Sequence, residues 1–203
     1  FNTLSFKTNA VFAVVPNDNG LYNMADNLDF TVQMQTKFNT STIYPKFLGK
    51  SNNSDDATFT GWYWMQENNQ WNLQFGGRNN GGGGKQQLGI PAGLADGSWH
   101  TLTMTVKYVN ATTRTASAYV DGVFKNSYNV SASKSINTTE LLRIGGNYSG
   151  ATDFYAANLS IFNVALDAAV VSSNVTLKDI TKHPNYANLI GFWPIDEGGE
   201  GVI

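Results

Sequence analysis

The sequence predicts an all-β fold, an antiparallel β-sandwich forming one domain over residues 1–203, and three observations carry that expectation. Apolar and polar residues alternate with a period of two along most of the chain. Gly, Asn and Asp interrupt the alternation at the spacing of short strands and tight turns. No segment sustains a helical period over any length.

The clearest hairpin joins residues 62–66 to 70–75 through Asn68-Asn69, which tolerate the positive φ that a two-residue turn needs. In that register Trp62 and Trp64 oppose Phe75 and Leu73 on one face, while Tyr63 and Met65 oppose Gln74 and Asn72 on the other. The first face reads as core and the second as amphipathic. A second hairpin turns at Asp121-Gly122, between strands at 116–120 and 123–128. Before it, Leu102, Met104, Val106 and Tyr108 alternate with Thr101, Thr103, Thr105 and Lys107, the pattern of a half-buried antiparallel strand. Further strands are predicted at 3–7, 11–15, 30–36, 46–50, 142–145, 156–162 and 189–193. Asp167 is placed to N-cap a short helix ending near Ser173. The glycine-rich stretch 76–84 reads as a loop; no Lys-Ser/Thr pair and no helix follow it, so it is not a phosphate cradle.

Composition bounds the function. An apolar content of 41% suffices for a sizeable core and excludes global disorder. A net charge of −2, with no cluster of Lys or Arg, argues against nucleic acid as a partner. The absence of cysteine excludes disulfides and thiolate metal sites, and no apolar run is long enough for a transmembrane segment. The start, Phe1-Asn2-Thr3, lacks the basic and hydrophobic regions of a signal peptide, so the chain reads as a mature or excised piece. With only 14% charged residues, its surface is built from Asn, Gly, Ser and Thr, which suits an exported protein at the cell surface or outside it. Asn-x-Ser/Thr sequons occur at Asn39, Asn52, Asn110, Asn129, Asn137, Asn147, Asn158 and Asn174, but a chain of this composition generates several by chance.

Ordered motifs then carry a resemblance. Leu4-Ser5-Phe6, Phe30-Thr31-Val32, Leu48-Gly49-Lys50 and the hairpin from Gly61 to Gly77 come first. Asp96-Gly97-Ser98-Trp99-His100, Ala118-Tyr119-Val120-Asp121-Gly122 and Leu142-Arg143-Ile144-Gly145-Gly146 follow, and Ile161-Phe162-Asn163 with Ala165-Leu166 closes the series. In this order, over about residues 1–170, they resemble the bacterial laminin-G-like, concanavalin A-like lectin/glucanase domains. The resemblance implies a jelly-roll sandwich. Two departures stand out. Phe154-Tyr155-Ala156-Ala157-Asn158 lacks the glycine and acidic residues common at that position in the family. Residues 188–198 resemble the strand that usually opens such domains, so 184–203 is either a closing strand or the start of a following module. That ending is similar to multidomain surface proteins of Bacteroidetes, which implies neighbouring domains in the same polypeptide and glycan handling at the cell surface.

Catalysis has weak support. Retaining glycosidases need two carboxyl groups about 5–5.5 Å apart, which alternating acids on one strand supply. No such run occurs; Asp196-Glu197 with Glu200 lacks the alternation, and Asp55-Asp56 are adjacent and point apart. His100 and His183 have no converging partners in the sequence, and His100 reads as a loop-holding residue beside a core Trp99. Trp62, Trp64, Trp71 and Trp193 read as core too.

The amphipathic face of the first hairpin is the candidate glycan site. Tyr63, Asn72 and Gln74, with Tyr119 expected alongside, combine aromatic faces with neutral hydrogen-bonding groups. Arg78, Asn79, Asn80 and Tyr148 are the expected rim residues. The same face reads equally as an ordinary solvated sheet surface. Calcium, which many domains of the resembled family bind, has Asp18, Asp55, Asp56 and Asp153 as candidate ligands, although no acidic calcium loop is present. The expected function is a non-catalytic carbohydrate-binding module of a larger protein. A spacer or protein-interaction domain of the same fold is the alternative, and a glycoside hydrolase comes third.

Overall fold

The computed structural model describes residues 4–6, 12–15, 20–24, 27–39, 46–52, 59–67, 69–79, 84–132, 136–145, 154–175 and 177–195. In chain order the strands are β1 (Leu4–Phe6), β2 (Phe12–Val14), β3 (Phe30–Phe38), β4 (Lys46–Ser51), β5 (Gly61–Glu67), β6 (Gln70–Asn79) and β7 (Gly84–Pro91). Then come β8 (Trp99–Asn110), β9 (Thr113–Val120), β10 (Val123–Ser131), β11 (Arg143–Gly145), β12 (Phe154–Phe162), the helix α1 (Ala168–Ser173) and β13 (Leu189–Trp193). Between α1 and β13 the chain makes short 3-10 turns at Ile180–Lys182 and Tyr186–Asn188. No helix among the described residues is long and apolar enough to cross a membrane.

The strands form two antiparallel sheets, packed as a jelly-roll sandwich. One sheet runs β1-β12-β3-β8-β9-β10 and the other β2-β11-β4-β5-β6-β7. Strand β12 carries two short partners end to end on one side: β1 pairs with residues 154–156 and β13 with residues 159–162. The predicted 189–193 strand therefore lies within the seven-stranded sheet.

One continuous core fills the space between the sheets. From the seven-stranded sheet it takes Phe30, Val32 and Met34 of β3 and Leu102, Met104 and Val106 of β8, all fully buried. The six-stranded sheet contributes Trp62, Trp64, Trp71, Leu73 and Phe75. The indole N–H of Trp64 points across the interface at Met104 Sδ, 3.4 Å away. The open edge on one side is tied by polar contacts between β10 and β7, where Tyr128 donates to the Gly89 carbonyl at 3.0 Å and the Ser131 N–H donates to Gln86 Oε1. Inside the core end, the guanidinium of Arg114 donates to the carbonyls of Ser131 and Ala132. Such caps satisfy carbonyls that would otherwise be buried unpaired, at a cost of about 1–3 kcal/mol each.

Both predicted hairpins form, the first in the expected register and the second with a β-bulge between Phe124 and Asn126. Trp62 pairs with Phe75, Tyr63 with Gln74, Trp64 with Leu73 and Met65 with Asn72. Asn69 has φ of 60°; Asn68 lies outside the described residues. Asp121 and Gly122 have φ of 53° and 74°, the two positive values of a type I′ turn.

Three expectations need correction. Strand β6 continues to Asn79 and β7 begins at Gly84, so much of 76–84 is strand rather than loop. Strand β7 was hidden because Gly89 interrupts its alternation; a Cβ there would come within 2.9 Å of Gln70 Oε1. Asp167 holds the N-cap position of α1 but its side chain makes no capping hydrogen bond. Trp99 is not core: it projects from the outer face of β8 and is 40% exposed.

Candidate functional site

The outer face of β5, β6 and β7 is where the predicted Tyr63, Asn72 and Gln74 meet. Period-two alternation sends their neighbours Trp62, Trp64, Trp71 and Leu73 into the core, so these three must point outward. They are nevertheless covered: Tyr63 and Asn72 are 2% exposed and Gln74 1%. The Tyr63 ring has Lys46 Nζ over its face at 4.1 Å from the centroid, and Phe59 packs edge-on at 5.4 Å. Its hydroxyl donates to Gln74 Oε1. Gln87, exposed on β7, donates to Asn72 Oδ1 at 3.0 Å and to Glu67 Oε2 at 2.8 Å. These bonds use the amide oxygens and leave the amide nitrogens. Asn72 Nδ2 and Gln74 Nε2 are both buried without a hydrogen-bond partner. Two amide nitrogens two residues apart on one strand thus lie on this side, covered and without an acceptor, and the Tyr63 ring has its own packing partners and is no open platform.

Tyr119 is not part of this arrangement. It stands on the other sheet, on β9, where it packs with Phe162, Leu166 and Val171 beneath α1. Burial raises the Tyr119 pKa, Asp167 adds to the rise, and a hydrogen bond with Thr105 opposes it. Period-two reasoning assigned Tyr119 correctly to an outer face; which sheet carries that face depends on topology. Arg78 and Asn79 fall on the far end of β6, with Asn79 paired to Gly84, and their side chains lie outside what is described. Asn80 and Tyr148 lie outside the described residues, as do the calcium candidates Asp18, Asp55, Asp56 and Asp153. Among the described residues no group of three or more His, Asp or Glu is placed to hold a metal ion.

A histidine–carboxylate cluster at His100 ties loops together. His100 Nδ1 lies 2.8 Å from Asp121 Oδ2, and Nε2 lies 3.2 Å from Asp96 Oδ1. Asp121 also accepts from the Thr101 N–H and Asp96 from the Ser98 N–H. Burial opposes the imidazolium, but the hydrogen bonds and charges of Asp121 and Asp96 outweigh it and raise the His100 pKa. Both ring nitrogens are engaged by carboxylates, so neither faces a nucleophile. His183 is different: burial lowers its pKa, its ring packs on Phe162 at 4.7 Å, and Nδ1 accepts from the Asn185 N–H.

Sequence reasoning passed over a second outward group, on the other sheet. Trp99 of β8, Lys37 of β3 and Tyr155 of β12 stand in one cross-strand row, since Lys37 pairs with Trp99 on one side and with Tyr155 on the other. Only the pairing of three distant segments makes that row.

Comparison with known proteins agrees with this architecture. A laminin-G family model, described as Concanavalin A-like lectin/glucanases superfamily, matches residues 11–172. No curated protein matches the sequence. Among solved structures, the binding domain of Paraclostridial Mosquitocidal Protein 1 is similar, with a TM-score of 0.64 at 15% identity over 85% of this chain and 42% of that one. The binding domain of Botulinum Neurotoxin DC in complex with SialylT gives 0.62 at 14% identity, over 85% of this chain and 42% of that one. The receptor binding domain of botulinum neurotoxin D also gives 0.62 at 14% identity, over 86% and 43%. The chain spans less than half the length of each of these, and at such identity the likeness is one of fold. With the family model covering most of its length, this chain belongs to the concanavalin A-like lectin/glucanases superfamily.

Proposed function

We propose that this domain is a non-catalytic carbohydrate-binding module of a longer exported or surface-anchored protein, with the outer face of β5–β7 as its glycan site. The observation that carries the reading is the pair of buried amide donors, Asn72 Nδ2 and Gln74 Nε2, left without partners on an outward sheet face. A buried donor without an acceptor costs about 1–3 kcal/mol, and a ligand rich in hydroxyl oxygens removes that cost on binding. Gln87 and Glu67 extend the polar row toward solvent. A saccharide is the neutral, acceptor-rich ligand that suits such a row, and membership of a lectin/glucanase superfamily is consistent with it. Recognition in this reading is by contact, without a covalent step; Asp96 and Asp121, which converge on one side chain, both bond to His100. The rim residues Arg78, Asn79, Asn80 and Tyr148, and calcium at Asp18, Asp55, Asp56 or Asp153, belong to the same proposal as additions from the loops.

The test is a glycan-array screen of the chain beside Asn72→Leu and Gln74→Met variants, run with calcium and again with EDTA. A hit lost in both variants supports the site, and a hit lost in EDTA adds a metal to it. A blank array with folded protein defeats the carbohydrate reading and leaves the spacer or interaction domain.

A further inference from the structure

We propose a second, independent binding site on the opposite sheet, built by Trp99, Lys37 and Tyr155, that takes a sugar unit bearing a single carboxylate. It stands whether or not the amide face binds a glycan.

The seven-stranded sheet has an outer face in two halves. Over one half lie α1 and the segment leading to it, where Tyr119 and Phe162 are covered by Leu166 and Val171. Over the other half, among the described residues, Trp99 remains 40% exposed, and Tyr155 and Lys37 are half-buried. The rings of Trp99 and Tyr155 lean toward each other across β3, with centroids 6.4 Å apart and planes at 55°. The Lys37 stem lies between them in register, and its ammonium sits 6.0 Å from the Tyr155 centroid. No carboxylate among the described residues pairs with Lys37. One step along the strands, Gln35 Oε1 accepts from Asn158 Nδ2 at 2.8 Å, while Gln35 Nε2 has no described partner.

Each feature narrows the ligand. Strands β3, β8 and β12 have neighbours on both sides, so their backbone groups are committed to the ladders and an added peptide strand has nothing to pair with. Recognition must come from side chains and from a ligand that lies flat. Two tilted aromatic rings offer faces to the apolar side of a pyranose. The single cation between them suits one carboxylate, whereas a polyanion would require a run of basic residues that this chain of net charge −2 lacks. Gln35 supplies a neutral donor for a ring hydroxyl.

The experiment titrates the chain with trigalacturonate and with sialyllactose, each against its neutral counterpart, galactotriose and lactose. Calorimetry and tryptophan emission are the readouts. Trp62, Trp64 and Trp71 are no more than 1% exposed, so emission that responds to ligand and to acrylamide reports Trp99 and the half-buried Trp193, and Trp99→Phe separates the two. The expected result is saturable binding of an acidic sugar about tenfold tighter than of its neutral counterpart. Lys37→Gln should abolish that preference and Trp99→Ala the acid-selective binding, while Asn72→Leu leaves the acid preference and the Trp99 emission response intact. Thermal melts of Lys37→Gln and Tyr155→Ser, both surface changes, confirm that the fold is kept. The proposal is overturned by the absence of saturable binding of either acidic sugar, by an acid preference that survives Lys37→Gln, or by a response that Asn72→Leu removes.

Discussion

His100 Nδ1 lies 2.8 Å from a carboxylate oxygen of Asp121, which places the imidazole at the start of β8 against the hairpin turn that joins β9 and β10. With Asp96 on its other nitrogen, His100 joins the loop preceding β8 to that turn.

This lock should be pH-dependent with a definite sign. Desolvation lowers the His100 pKa, but its carboxylate partners prevail and raise it above 6.5 in the folded chain. A raised folded value means that the stabilisation is fully present below the unfolded pKa and fades as pH rises through the folded one. The stability difference between wild type and His100→Gln should therefore be largest near pH 5 and shrink above neutrality. His183, lowered by burial, should show the reverse, its contribution fading as pH falls through the depressed value. Chemical denaturation of both variants across pH 5–8 distinguishes them. Parallel pH profiles for the two would sink the assignment.

Tyr119 sits under α1, with Phe124 packed on its ring at 5.6 Å. Tyr119→Ala should cost about 3–5 kcal/mol by opening a cavity beneath the helix. Tyr119→Phe should cost about 1 kcal/mol, since only the hydroxyl and its bond with Thr105 are lost. Equal small losses for both, read from urea midpoints, would mean that α1 does not pack as described.

Asn72→Leu tests whether the amide face carries a cost in the absence of ligand. It removes a buried Nδ2 that has no partner, and the displaced Gln87 is exposed to water and keeps Glu67. Stability should be unchanged or higher by about 1 kcal/mol, with glycan binding lost. A loss of more than about 1 kcal/mol would mark Asn72 as structural.

Gly122 is held by more than its turn. At φ of 74°, an added Cβ would come within 2.5 Å of Val175 Cγ2 and 3.0 Å of Ser172 Cα, so the turn packs against the end of α1. Gly122→Ala should cost more than about 2 kcal/mol, from backbone strain and overpacking together. A melting temperature equal to wild type would contradict that contact.

The sequence by itself determined much of the local structure: most of the strands other than β7, the core side of the Trp62–Phe75 hairpin and of β8, and the positions of the Asn69 and Asp121-Gly122 turn residues. Period-two alternation and positive-φ turn residues are properties of neighbours in the chain, so Trp62, Trp64, Leu73 and Phe75 were legible as core. Tertiary structure decided which outward faces lie together and which stay open. Tyr63 and Tyr119 belong to opposite sheets, and α1 covers the second of them. Trp99 falls by alternation on the outer face with Thr101 and Thr103, and it is exposed because no described element crosses that half of the sheet. Lys37 stands beside it on β3, and Tyr155 lies beyond Lys37 on β12, each more than fifty residues away in the chain. Alternation tells a side chain which way to point; only the assembled layers determine what waits there.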